Sequence, residues 1–126
     1  MTRVLIIEDE ESYREATAFM LRKEGFEVNT AANGADGLEI YSRNGADIVL
    51  LDLMMPDLGG IRVLEELRGD PALAGTPVLV VTGKVDAVPA MRDLLGQDNV
   101  FVKPFAVSEL LARVDEVTGG PEGSPP

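Results

Sequence analysis

Unbroken runs of branched aliphatic residues alternate with helical stripes along the chain. Val4-Leu5-Ile6-Ile7, Ile48-Val49-Leu50-Leu51 and Val78-Leu79-Val80-Val81 carry no polar alternation. That is the pattern of strands buried on both faces, the usual state of a parallel sheet. Strands are predicted over Arg3–Ile7, Glu27–Ala31, Asp47–Leu51, Pro77–Val81 and Val100–Val102. Between them, Tyr13, Ala16, Met20 and Leu21 repeat at helical spacing, as do Ile61, Leu64 and Leu67, and then Val107, Leu110, Leu111 and Val114. These stripes are predicted to face the core.

The punctuation agrees with that alternation. Gly25 closes the first helix and Asn33 can cap the second. Pro56 through Gly60 break the chain between the third strand and third helix, and Pro71, Gly75 and Pro77 separate that helix from the fourth strand. Pro89 suits a first helical turn, so the fourth helix is predicted to start near Ala87 or Val88. Strict strand–helix alternation implies an α/β fold, a (βα)5 doubly wound five-stranded parallel sheet of flavodoxin-like order 2-1-3-4-5. Ligands of such sheets bind at the carboxyl edge, at the switch point between the first and third strands.

Composition narrows the chemistry. At 126 residues the chain suffices for one domain with a core of its own. Residues 1–118 read as that domain, and 119–126, rich in Gly and Pro, as a flexible tail or the start of a linker. Cysteine and histidine are absent, which excludes disulfides, thiolate or imidazole metal sites and histidine bases within the chain. The net charge of −11 argues against direct binding to nucleic acid or an anionic membrane surface. No apolar run reaches the length of a membrane span and no signal peptide is evident, so the expected location is cytoplasmic.

The acidic residues are placed with more purpose than the bulk charge suggests. The first strand runs into Glu8 and Asp9, and the third into Asp52. Parallel strands point the same way, so all three carboxylates emerge on one edge at the switch point. Two like charges about 4 Å apart repel by roughly 4 kcal/mol at an effective dielectric near 20. One carboxyl must hold a proton, or a hard cation must bind. Oxygen-only donors favour Mg2+ or a similar ion such as Mn2+. Thr82 ends the fourth strand, followed by Gly83, and Lys103 ends the fifth, followed by Pro104. With a divalent cation and Lys103 present the three carboxylates are balanced, and the site can accept an anion onto one of them.

These residues resemble the response-regulator receiver domain of two-component signalling. The matching segments are V-L-I-I-E-D-E, I-V-L-L-D-L-M-M-P-D-L-G-G, V-L-V-V-T-G and V-F-V-K-P-F, spanning Val4 to Phe105. The resemblance implies a phosphoaccepting switch rather than an enzyme with a diffusible substrate. Asp52 would take a phosphoryl group from a sensor histidine kinase or a phosphotransfer protein. Asp9 would bind Mg2+ directly, Glu8 through water, and the Met54 carbonyl would be a further ligand. Lys103 would pair with the phosphoryl oxygens, the Thr82 hydroxyl would swing inward, and backbone N–H groups at Met54 and Gly83 would complete the cradle. The Lys103–Pro104 peptide bond is expected to be cis.

Some positions depart from the family pattern. Val100 stands where the family usually has an aromatic residue that rotates with the threonine, and Phe101 faces the other side of the sheet. Met54 and Lys84, two residues after Asp52 and Thr82, occupy positions that influence attacking water in the family. Met54 offers water no side-chain hydrogen bond, so slow self-dephosphorylation is expected. Asp98 and Arg113 resemble the pairing surface of receivers joined to DNA-binding domains, which implies phosphorylation-dependent homodimerisation; each is equally read as a solvated charge. The output partner or effector domain and the cognate kinase are not legible. Two alternatives are a pseudo-receiver that only docks, which would require a missing functional residue, and an aspartyl-nucleophile phosphatase. The latter generally needs a second aspartate where Met54 stands.

Overall fold

A computed structural model of the chain describes residues 1–55, 59–71 and 74–122. The strands are β1 (Arg3–Ile7), β2 (Glu27–Ala31), β3 (Ile48–Asp52), β4 (Val78–Thr82) and β5 (Val100–Val102). The helices are α1 (Glu11–Lys23), α2 (Gly34–Asn44), α3 (Gly60–Gly69), α4 (Val88–Leu95) and α5 (Val107–Thr118). All strand pairs are parallel and the order is β2-β1-β3-β4-β5. The doubly wound architecture predicted from the alternation is the one observed.

Two strands sit one residue later than expected, and the shift bears on the site. Pro77 has no N–H to give to a ladder, so β4 begins at Val78 and takes in Thr82. In β3 the ladder continues through Asp52, which lies in register with Val81. Both residues are thus held by regular sheet and not by a loop. All five residues of each of these strands are buried, as unbroken apolar runs require.

One core layer packs α2, α3 and α4 on the sheet, through Tyr41, Val63, Leu64, Leu67 and Val88 against Leu5, Val49, Leu51 and Val80. The other packs α1 and α5, through Ala18, Leu21, Leu110 and Val114 against Val4, Ile6, Leu50 and Leu79. Two predicted stripes are buried only in part: Leu21, Leu64 and Leu67 lie in the core as expected, and other members do not. In α1, Thr17, Ala18 and Leu21 are buried while Ala16 is exposed, Tyr13 and Met20 are partly buried, and Phe19 projects outward. In α3, Val63 is buried and Ile61 is 49% exposed. Small residues and a threonine set the approach of α1 to the sheet, and apolarity alone does not register that.

The caps fall where expected. The Asn33 side chain accepts from the Asp36 N–H at 2.8 Å, and α4 starts at Val88 with Pro89 in its first turn. Pro56, in the predicted breaker cluster, lies outside the described residues together with Asp57 and Leu58. At the cluster's end Gly60 is required by contact. A Cβ there would run into the Asp52 carbonyl and the Leu53 Cα, so only glycine lets α3 begin directly against the end of β3.

The chain does not run free at once after α5. Thr2 donates its N–H to the Pro121 carbonyl at 2.8 Å and its hydroxyl to the Gly120 carbonyl at 2.6 Å. Gly120 is buried and Pro121 lies on Gly25. Of the predicted tail, Gly120 and Pro121 are therefore attached to the start of the sheet, and 123–126 lie outside the described residues. No helix among the described residues is long and apolar enough to cross a membrane.

Candidate functional site

Because β1 and β3 are neighbours and parallel, the residues at their carboxyl ends meet. Glu8, Asp9 and Asp52 each offer a carboxylate oxygen, and these atoms lie within 4.8 Å of one another. Glu8 is 3% exposed and Asp52 1%, whereas Asp9 faces solvent. The backbone carries the acidic turn. The Glu8 N–H donates to the Ala31 carbonyl at 3.0 Å, and the Glu10 N–H to a Glu8 carboxylate oxygen at 3.2 Å. Arg14 reaches back from α1 and donates to the Glu8 and Asp9 carbonyls at 3.0 and 3.4 Å. The carboxylates are thereby fixed without consuming all their oxygens.

Lys103 arrives from the end of β5, where its N–H donates to the Thr82 carbonyl at 2.8 Å. Its peptide bond to Pro104 is cis, as expected. The ammonium lies 2.9 Å from Glu8 Oε1, 3.5 Å from Asp52 Oδ2 and 4.0 Å from Glu10 Oε2. One ammonium thus faces three acids. Burial pushes the Asp52 carboxyl up from 3.8 to about 6, and hydrogen bonding with Glu8 and the Glu8 charge add to the rise. The Met54 N–H, donating to Asp52 Oδ1 at 2.9 Å, and the Lys103 charge pull it partly back. For Lys103, burial works to lower the ammonium's pKa, but Glu8, Asp52 and Glu10 together outweigh it and raise the value.

The remaining predicted residues surround this cluster. Thr82 is fully buried, and its hydroxyl accepts from the Lys84 N–H at 2.9 Å. An open crevice of about 580 Å³ is lined by Asp9, Glu10, Asp52, Met54, Gly83, Lys84 and Lys103. Met54 is 54% exposed at its rim, and a Cβ on Gly83 would touch nothing. Glu8, Asp9, Asp52, Met54, Thr82, Gly83 and Lys103 are therefore brought to one edge.

Val100, Asp98 and Arg113 lie elsewhere. Val100 is 4% exposed in the core layer beneath α4, and Phe101 packs on the opposite face. Asp98 and Arg113 line a groove of about 630 Å³ with Arg92, Glu109 and Glu116. There Arg113 bonds Asn99 at 2.9 Å and Glu116 at 3.1 Å.

Sequence reasoning missed three contributors: Glu10, Arg14 and Tyr13. Tyr13 belongs to a stripe predicted to face the core, yet its ring lies under the Lys103 ammonium, 4.5 Å from Nζ to centroid. An aromatic residue one helical turn after an acidic strand end was the available signal.

Comparison with known proteins agrees with this geometry. The family model described as response regulator receiver domain matches residues 4–115. The sensory transduction protein RegX3 of Mycolicibacterium smegmatis is 45% identical over 118 residues, covering 93% of this chain and 50% of the relative. The response regulator ArlR of Staphylococcus aureus is 35% identical over 115 residues, covering 90% of this chain and 51% of the relative. The chain spans about half the length of the curated relatives it matches. Among solved structures, the chemotaxis protein CheY4 of Vibrio cholerae superposes with a TM-score of 0.82 at 28% identity, covering 93% of this chain and 98% of that one. Sequence match and sheet order point the same way: the chain belongs to the response regulator receiver domain family.

Proposed function

We propose that Asp52 is the phosphoacceptor, taking a phosphoryl group from a phosphohistidine on a sensor kinase or phosphotransfer protein. The observation that carries this reading is a carboxylate 1% exposed at the end of β3, beside two further acids and the Lys103 ammonium. In the transfer an Asp52 oxygen attacks phosphorus, the phosphorus–nitrogen bond to the donor breaks, and a mixed anhydride forms. Positioning and charge neutralisation supply most of the catalysis in such transfers.

The donor set fits Mg2+: hard oxygens only, on Glu8, Asp9 and Asp52, with the Met54 carbonyl two residues after Asp52 in the chain. When bound, the ion would neutralise charge on the acids and on the incoming phosphoryl oxygens. Lys103 then turns from Glu8 toward those oxygens, and the Thr82 hydroxyl exchanges the Lys84 N–H for one of them. The N–H groups of Met54 and Gly83 donate to the same group. A phosphoryl of about −2 charge in place of the carboxylate is the local change that biases the surrounding loops.

Output is proposed to pass through the face of α4, β5 and α5, where the groove with Asp98 and Arg113 would pair two phosphorylated copies. A monomer mass unchanged by beryllofluoride would argue against that pairing. With Met54 at the rim, the phosphorylated form should outlast seconds; hydrolysis on that timescale would contradict the assignment. The primary test is intact mass after incubation with acetyl phosphate and Mg2+. The wild type should gain one phosphoryl group and Asp52→Asn none, and equal labelling of both would refute the reading.

A further inference from the structure

Lys103 has a fourth partner that is not an acid. Its ammonium lies over the Tyr13 ring at 4.5 Å from the centroid, inside the range where a ring face attracts a cation. The Lys103 side chain is only 15% exposed, so this attraction is little screened by water. Tyr13 also contacts Phe105, ring centroids 5.6 Å apart, and Phe105 contacts Phe101 at 5.9 Å. Phe101 and Phe105 lie two residues before and two after Lys103. A single side chain on the first turn of α1 thus touches the lysine and one flank of its turn, and the other flank is linked through Phe105.

The carboxylate partners of this ammonium are the ones the proposed reaction alters. Glu8 and Asp52 are candidate metal ligands, and Asp52 would become an acyl phosphate. The Tyr13 face keeps its character throughout. An ammonium resting on it can release Glu8 and turn to a phosphoryl oxygen without losing its hold on the site.

We propose that Tyr13 is a positioning residue for Lys103, holding the ammonium over its ring face while the acidic partners change. The inference rests on the phosphoacceptor reading of Asp52 and adds a residue on α1 to it. Its apolar contact with Phe105 alone would make Tyr13 a packing residue, so the test must separate the two roles.

In the metal-free protein, the Lys103 ε-methylene protons should be shifted upfield by the ring current. Tyr13→Phe should keep that shift and Tyr13→Leu should lose it. With acetyl phosphate as donor, which removes any contribution from kinase docking, Tyr13→Leu should be phosphorylated about three- to tenfold more slowly than wild type. Tyr13→Phe should remain within twofold. In a Lys103→Met background, Tyr13→Leu should cause no further slowing. An unshifted Lys103 in the wild type, a wild-type rate in folded Tyr13→Leu, or an undiminished loss in the Lys103→Met background would each overturn the proposal. If the wild type takes up no phosphoryl group, the reading of Asp52 falls. The ring-current measurement still decides whether Tyr13 holds the ammonium.

Discussion

The two ends of this parallel sheet are built from the same strands and handle polar groups in opposite ways. At the amino end, partners are matched. Thr2 gives both its N–H and its hydroxyl to the chain beyond α5, and the Arg3 guanidinium bonds Glu27 and the Asn44 carbonyl. The Arg3 N–H goes to an Asp47 oxygen at 2.7 Å. At the carboxyl end, Glu8, Glu10 and Asp52 gather around Lys103, and Asp9 lies beside Glu8 and Asp52. The first edge is closed and the second is under-neutralised. An end that lacks positive charge can respond to a cation or a phosphoryl group, and an end already matched cannot. The contrast locates function more sharply than the overall charge of −11 does.

The carboxyl edge is most sensitive at its cation. Lys103→Met leaves the nearly buried Glu8 beside Asp52 with no positive partner. Removing one member of a buried pair costs about 3–5 kcal/mol, so this variant should show the largest loss in urea unfolding at neutral pH. A loss below about 1 kcal/mol, the scale of an exposed pair, would mean the edge is less strained than its geometry indicates.

Removing an acid should do the reverse. Asp52 holds its proton more tightly in the folded protein than in the unfolded chain, 3.8 having moved to about 6. The contribution of Asp52 to stability should therefore fall as pH rises through that window, and its cost is complete above it. The full cost corresponds to about 3 kcal/mol. Asp52→Asn should be more stable than wild type by up to that amount at pH 7, and by almost nothing below 3.8. A stability difference independent of pH would contradict the electrostatic origin.

The amino end predicts a smaller effect, and one with no functional echo. Thr2→Val removes the hydroxyl that bonds the Gly120 carbonyl, a loss of about 1 kcal/mol. Amide exchange at Gly120 should accelerate while phosphoryl uptake stays at the wild-type rate. Altered uptake would mean the two ends communicate. Smallest of all, Gly83→Ala should shift stability by less than about 0.5 kcal/mol, because the added Cβ meets open space; thermal unfolding would show it.

The sheet and most of its carboxyl edge were legible in the sequence because both rest on apolar runs that end abruptly. Ile48–Leu51 stops at Asp52 and Val78–Val81 stops at Thr82, and parallel pairing sends both ends the same way. What escaped the pattern depends on shape or on backbone atoms. Thr17 takes the buried place expected of Ala16 in α1, where hydropathy favours alanine, and in α3 Val63 joins Leu64 and Leu67 while the equally apolar Ile61 faces outward. Gly120 and Pro121 are attached through carbonyls, which a composition of Gly and Pro does not advertise. The ring of Tyr13 under Lys103 joins residues ninety positions apart in sequence and could be seen only once β5 was placed beside β4.

The most direct measurement is the chemical identity of residue 52 after phosphoryl uptake. Protein incubated with acetyl phosphate and Mg2+ is reduced with borohydride, which converts an acyl phosphate of aspartate to homoserine, and the peptides are then sequenced by mass spectrometry. Homoserine at position 52, and unmodified Glu8 and Asp9, is the predicted result. Homoserine at Asp9, or unreduced aspartate throughout, would contradict the account.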